Sequence, residues 1–224
     1  MSRATDDRVP VCIFAKPPVA GTVKTRLASK LGVDLAAALA KAFLQDTWEL
    51  VRGLPWARPI LATTEARTEV ELPGVEIWLQ GEGDLGDRLE RILGRALAEG
   101  KPAIAIGSDT PGLPAALLED ARQALAGEDA AVGPARDGGF YLLGLNRCPD
   151  GLLRGLPWST TGTREALLAR ISDFGIFSRI LAPWSDVDRP EDLDELARAI
   201  GDGVVAAPHT ARALARIKER GRSR

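Results

Sequence analysis

Apolar runs of strand length alternate with amphipathic segments of helix length along almost the whole chain, which predicts an α/β protein with a mostly parallel sheet. Strands are expected over Val9–Ala15, Arg58–Ala62, Val75–Leu79, Pro102–Gly107, Ala130–Pro134, Phe140–Leu145 and Ile176–Ala182. Val75, Ile77 and Leu79 alternate as a half-buried strand does, whereas Pro102–Gly107 is apolar on both faces and reads as a central strand. The first helix is expected from Asp34, as its cap, to about Arg52, and the second from Leu85 to Glu99, stopped by Gly100. Pro114 suits the first turn of a third, with Leu117, Leu118, Ala121 and Leu125 as its buried stripe. Thr163–Ile171 and Glu191–Ile200 complete the series, the latter opened by Pro190 and stopped by Gly201. No repeat or linker interrupts it. One domain is therefore expected over residues 9–208, between a disordered N-terminal tail (1–8) and a basic C-terminal helix or tail (209–224).

Composition narrows the chemistry. The chain has 224 residues, 45% hydrophobic and 27% charged, enough to bury a core. It carries one His and two Cys, too few for a zinc site built from those ligands. A Ser-His-Asp or Cys-His arrangement would have to use His209, which stands in an Ala- and Arg-rich stretch. Cys12 and Cys148 are far apart and form no CxxC, which fits a reducing compartment and no redox role. What remains is carboxylates, Lys, Arg, hydroxyls, backbone amides and a hard metal ion. No apolar run has the length of a membrane span and MSRATDDRVP lacks the apolar stretch of a signal peptide, so a cytoplasmic protein without stable membrane insertion is expected.

The net charge of −2 conceals an uneven distribution. Arg212, Arg216, Lys218, Arg220, Arg222 and Arg224 face only Glu219 in the last 15 residues, leaving 23 of the 29 basic and 30 of the 31 acidic residues in the body. An acidic body argues against nucleic acid as a partner, and the basic end reads as a solvated helix end.

Four segments carry candidate chemistry. After the first strand, Ala15 to Leu27 places Pro17, Pro18 and Gly21 with Lys16, Lys24 and Arg26 where a strand feeds a helix, a setting suited to a polyphosphate. It is neither a Walker A sequence nor a GxGxxG, and alone it reads equally as a solvated turn. After the central strand, Gly107-Ser108-Asp109-Thr110-Pro111 puts a carboxylate at a buried strand end, fit to hold Mg²⁺ or Mn²⁺ or simply to cap a turn. Between two expected strands, Asp137 could bind acceptor or metal, and Gly138-Gly139 allow close approach of a ligand or form a hairpin turn. Ahead of a Pro-initiated helix, Asp186 and Asp188 flank Val187, and one of them is a candidate to complete a metal site.

In this order the segments resemble the GT-A nucleotide-diphospho-sugar transferase superfamily. The likeness is carried by FAKPPVAGTVKTRL, AFLQDT, GDLGDRL, IGSDTPGLP, GPARDGGFYLLGL, LPWST and DVDRPEDL, from Val11 to about Leu196. The set closely resembles a bacterial radical-SAM/selenodomain-associated (arsenosugar-type) glycosyltransferase branch. The KTRL loop is similar to that of 2-phospholactate guanylyltransferases, the Asp109 segment to the metal-binding strand end of molybdenum-cofactor guanylyltransferases, and DVDRPEDL to the C-terminal metal motif of CMP-KDO synthetases. The resemblance implies a single-domain, three-layer α/β/α fold with a mostly parallel central sheet. It implies metal ligation of Mg²⁺ or Mn²⁺ by Asp109 and Asp188. Nucleotide contacts are implied for Ala15, Lys16, Gly21, Thr22, Lys24 and Arg26, and acceptor contacts for Asp84, Arg88, Gly138, Gly139, Trp158 and Ser159. Asp84 reads equally as a helix cap, and Trp158 equally as a packing residue.

Two departures bear on the reaction. The GGxGTRL signature of many sugar nucleotidyltransferases is absent, and Gly107 stands where many GT-A glycosyltransferases have the first Asp of an Asp-x-Asp. Asp109 paired with distant Asp188 therefore favours nucleotidyl transfer from an NTP to a small phosphorylated acceptor, with Lys24, Arg26, Asp109 and Asp137 in the catalytic set. Glycosyl transfer from a nucleotide sugar, with Asp137 or Asp84 activating an acceptor hydroxyl, is the alternative. A non-catalytic nucleotide-binding protein is the third.

Overall fold

The computed structural model describes residues 6–222. Residues 1–5 of the expected N-terminal tail, and Arg224 of the basic end, lie outside the described residues. Among the described residues there are seven strands: β1 (Val9–Phe14), β2 (Ala57–Thr63), β3 (Ile77–Leu79), β4 (Ala103–Gly107), β5 (Ala130–Pro134), β6 (Phe140–Leu145) and β7 (Ser178–Ile180). The helices of the described residues are α1 (Thr25–Leu31), α2 (Val33–Arg52), α3 (Leu85–Leu97), α4 (Ala115–Ala124), α5 (Thr163–Asp173), α6 (Pro190–Gly201) and α7 (Pro208–Arg222).

The strands form one sheet in the order β3-β2-β1-β4-β6-β5-β7, parallel except for β6, which runs antiparallel to both β4 and β5. Only residues 135–139 separate β5 from β6, too few for the crossover that a parallel pair needs, so the two close as a hairpin. Alternation along the strands sends side chains to two cores. Val11, Ile13, Ile104 and Ile106 pack with Leu44, Trp48, Leu117 and Leu118 of α2 and α4. Cys12, Ile60, Ala62, Ala103 and Ala105 face Leu89, Leu93, Leu167 and Ile171 of α3 and α5. The product is a three-layer α/β/α domain with a mostly parallel sheet.

Several element ends differ from expectation, each for a local reason. The cap of α2 is Gly32, and Asp34 lies inside the first turn, where its charge suits the helix N-terminus. The displacement arises because α1, seven residues long with only Leu27 buried, precedes α2 and is too short to show an amphipathic period. Pro114 is the cap of α4 rather than part of its first turn, since its ψ of 134° keeps it extended. The strands expected over Val75–Leu79 and Ile176–Ala182 shorten to β3 and β7, which lie at the two edges of the sheet with one neighbour each.

The basic C-terminal segment from Pro208 is helix α7, and it packs on α2. Buried Asp46 of α2 accepts hydrogen bonds from the backbone N–H of His209 (2.8 Å) and Thr210 (2.9 Å) and from the Thr210 hydroxyl (2.6 Å). A carboxylate from another helix thus satisfies the free amides at the start of α7. Asp46→Ala should lower stability by about 2 kcal/mol, because buried donors lose a charged acceptor; the urea unfolding midpoint measures it. His209 pairs with Glu49 at 2.8 Å in the same place.

Candidate active site

The chain leaves β1 for β2 and β3 on one side, then returns to place β4 against the other flank of β1. This makes the carboxyl ends of β1 and β4 a topological switch point, where open α/β sheets bind ligands. Phe14 is in register with Gly107, and the Ser108 N–H donates to the Phe14 carbonyl at 3.2 Å. The loop of residues 15–24 and the loop holding Asp109 therefore start side by side. A third segment joins them after β7. Trp184 N–H donates to Pro134 O (3.1 Å) and Val187 N–H to Asp109 O (2.9 Å), bringing Asp186 and Asp188 to the end of β4. Val187 is buried with Leu27 of α1, Ala36, Leu39 and Phe43 of α2 and Leu193 and Leu196 of α6, so a small separate core fixes the height of its two flanking carboxylates.

Lys24 sits at the centre. Its Nζ lies 2.9 Å from Asp109 Oδ1, 2.8 Å from Asp188 Oδ1 and 2.8 Å from the Val187 carbonyl oxygen, so its three donors meet three acceptors. The ring of Phe43 lies 5.5 Å from the ammonium. The Lys24 side chain is only 3% exposed, while Asp109 and Asp188 keep 51% and 42% of theirs open. Burial alone would lower the Lys24 pKa, but the Asp109 and Asp188 carboxylates outweigh it and the pKa is raised. The backbone of Lys24 is left-handed, with φ 47° and ψ 44°, at the cap of α1. That conformation costs a side-chain-bearing residue about 1 kcal/mol, offset here by the contacts it permits.

Asp186 completes the electrostatic setting. Burial, followed by the Asp137, Asp109 and Asp188 carboxylates, pushes it up to about 7, with Lys24 acting in the opposite sense. Asp137 is itself held, its Oδ1 accepting the Gly139 N–H at 2.8 Å. Two carboxylates and a backbone carbonyl converging on one cation form an all-oxygen donor set, which fits a hard divalent ion. Among the described residues no cluster of three or more His, Cys, Asp or Glu side chains is gathered for a metal. The thiols offer no alternative: burial pushes both Cys12 and Cys148 up to about 12, far from a thiolate at neutral pH.

The cations expected at a nucleotide divide by position. Lys16 and Arg26 are exposed and, among the described residues, make no ion pair, so both are free to meet an anion. Lys24 is spent on the carboxylates. Ala15 N–H donates to Ala62 O, prolonging the β1–β2 ladder, and the Thr22 hydroxyl donates to Val19 O (2.9 Å), bracing the turn of residues 19–22 that contains exposed Gly21.

The residues expected at an acceptor come together from three elements. Gly138 lies against the backbone of Thr161, and its carbonyl accepts the Arg164 N–H at 2.9 Å. The Thr163 hydroxyl oxygen lies 2.6 Å from Pro157 O and 2.8 Å from Thr160 O, its one proton serving either, and so ties together the 157–163 turn in which Ser159 adopts φ 60°. Trp158 packs edge-on against Phe140, ring centroids 6.2 Å apart, and reaches Gly86 at the start of α3. Its indole N–H is buried and, among the described residues, has no partner. Asp84 caps α3 by accepting the Asp87 N–H (3.0 Å), with Asp87 returning a bond to Asp84 N–H (3.1 Å); Arg88 donates to Gly83 O (3.0 Å). Asp84 and Arg88 thus build the α3 N-terminus beside Trp158, and Asp84 fills the capping role that competed with substrate contact.

The chain is matched over residues 54–160 by the model of a family described as an uncharacterized protein conserved in bacteria, DUF2064. That span contains Asp84, Asp109, Asp137, Gly138 and Trp158 but neither the first loop nor Asp188. A protein from Desulfovibrio desulfuricans G20, provisionally described as a nucleotide-diphospho-sugar transferase, superposes with a TM-score of 0.84 at 27% identity, over 95% of this chain and 97% of that one. The fold is that of the nucleotide-diphospho-sugar transferases. The inositol-1-phosphate CTP transferase from T. maritima shares it at 12% identity and a TM-score of 0.56, covering 96% of this chain and 98% of its own. So does Rv0371c from Mycobacterium tuberculosis H37Rv, solved in complex with manganese, at 18% identity and a TM-score of 0.53, over 84% and 97% of the two chains. No curated protein matches the chain in sequence. No helix among the described residues is long and apolar enough to cross a membrane.

Proposed function

We propose that the protein transfers a nucleotidyl group from an NTP to a small phosphorylated acceptor and releases pyrophosphate. The observation that carries this reading is the convergence of Asp109 and Asp188, from the end of β4 and the segment after β7, on one point at the switch-point edge. Support comes from the fold, shared with a CTP transferase that acts on inositol-1-phosphate and with a manganese-bound protein. Gly107, in place of the first Asp of an Asp-x-Asp, weighs against the glycosyl alternative.

In this reaction an oxygen of the acceptor phosphate forms a bond to the α-phosphorus as the bond from that phosphorus to the bridging oxygen breaks, and pyrophosphate leaves with the electron pair. The acceptor is already an anion, so no histidine base is needed. Such transfer depends on in-line positioning and on compensation of charge rather than on covalent help. Lys16 and Arg26 face the triphosphate. Asp109 and Asp188 would hold Mg²⁺ or Mn²⁺, which when bound would neutralise negative charge on the phosphate oxygens. Gly138, Gly139 and the 157–163 turn, with Trp158 and Ser159, shape the acceptor side, and the α3 N-terminus built by Asp84 and Arg88 lies next to it.

Incubation of the protein with each of the four NTPs, Mg²⁺ or Mn²⁺ and a panel of phosphorylated acceptors is expected to release pyrophosphate with one base preferred. Sugar transfer from a nucleotide sugar, yielding nucleoside diphosphate and no pyrophosphate, would replace this reading with the glycosyl one. Specific nucleotide binding without turnover on either panel would leave a binding protein.

A further inference from the structure

The seat of Lys24 is closed on every side that matters to a cation. Three oxygens lie within 2.9 Å of its Nζ, the ring of Phe43 covers it at 5.5 Å, and only 3% of the side chain meets solvent. A divalent ion binds carboxylate oxygens at about 2.0–2.6 Å, so an ion held between the two carboxylates would need the volume that the ammonium fills. Both cations cannot occupy it. The lysine is also held by its backbone, since the left-handed cap conformation aims a residue with a long side chain from the first loop back into the sheet edge.

We propose that Lys24 is a resident counter-cation that competes with the divalent ion for Asp109 and Asp188, so that metal binding requires Lys24 to swing out of the carboxylate pair. The proposal rests on the metal role given to Asp109 and Asp188 above and adds what that role does not include: the same lysine keeps the two carboxylates together without metal and weakens their hold on bare metal. The exit of Lys24 from the pair leaves an ammonium beside the loop that carries Lys16 and Arg26. A triphosphate arriving with the ion supplies new oxygens for that ammonium, so the metal is taken up well only as its nucleotide complex.

The test uses Mn²⁺ alone, with free ion measured by electron paramagnetic resonance on the full chain. Lys24→Met, which keeps the length and apolar stem but removes the charge, is expected to bind Mn²⁺ at least tenfold more tightly than the native protein. Asp109→Asn is expected to weaken binding in either background. If the native protein binds Mn²⁺ and Asp109→Asn abolishes this, yet Lys24→Met binds no more tightly, the counter-cation role is wrong and the metal site stands. If neither protein binds Mn²⁺ and Asp109→Asn changes nothing, the metal site itself fails and takes this proposal with it. A second readout needs no variant. Reductive methylation of Lys24 in the native chain, followed by peptide mass and referenced to exposed Lys218, should rise several-fold when saturating Mn²⁺ releases the ammonium. Unchanged protection of Lys24 with Mn²⁺ bound overturns the proposal.

Discussion

Asp109→Asn is expected to lower kcat/KM for pyrophosphate release by about a hundredfold to a thousandfold, the scale on which loss of one preorganised charge-stabilising group is felt. The substitution is nearly isosteric and removes charge from one of the two carboxylates meeting at Lys24. The fold should tolerate it. Asp109 is half exposed, but the Lys24 ammonium is buried, so losing one of its two carboxylates costs some stability, limited because Asp188 and the Val187 carbonyl still meet the cation. The Asp109 carbonyl, which accepts the Val187 N–H, is unaffected by the change. A melting temperature within a few degrees of native, together with the drop in rate, is the expected pair of results. Activity within threefold of native would remove Asp109 from the reaction.

Gly138→Ala should be strongly disruptive. A Cβ there would stand 2.2 Å from the Thr161 carbonyl oxygen and 2.6 Å from its Cα, and the backbone φ is +92°. The obstruction is backbone, which cannot swing aside as a side chain does. Either the 135–139 connection or the 157–163 turn must move, and the Gly138 carbonyl that accepts the Arg164 N–H moves with it. Strain and overpacking together are expected to cost about 2–4 kcal/mol, read as a shift in the urea midpoint. Gly151→Ala is the control, because Gly151 has a similar φ of +84° with open space around its missing side chain. Its cost should be about 1 kcal/mol, the conformational part alone. Equal losses in the two variants would show that Gly138 does not wedge the two loops together. In the folded fraction of Gly138→Ala, KM for the acceptor should rise more than KM for the nucleotide.

Much of this arrangement was legible along the chain. The strand cores of β1, β4, β5 and β6 follow from runs that are apolar on both faces or alternate cleanly, and the loops bearing Lys24, Asp109, Gly138 and Asp188 fall at strand ends where a parallel sheet gathers its ligands. Less legible were elements whose pattern is shorter than a period. Helix α1 has one buried residue, and its left-handed cap at Lys24 has no local signal, since lysine does not favour that conformation. Asp186 was one of two carboxylates flanking Val187. That the Asp137, Asp109 and Asp188 carboxylates raise the pKa of a buried Asp186 depends on the hydrogen bond between Val187 and Asp109, a contact between distant segments. The role of Asp46 in capping α7 was equally hidden, because a helix start that borrows its cap from another helix leaves no mark in its own sequence.

The chain alone carries the alternation of strands and helices, the scarcity of histidine and cysteine, and the order of the four charged loops. These are properties of residue type and period, which act over a few neighbouring positions. What the charges do to one another is set by packing between distant segments. Lys24 and Asp188 stand 164 positions apart and meet because Leu27, Phe43, Val187 and Leu193 pack into one small core. A cation that in sequence belonged with Lys16 and Arg26, facing a triphosphate, is by that packing enclosed between two carboxylates. Its attraction to them outweighs the burial that would otherwise expel its charge.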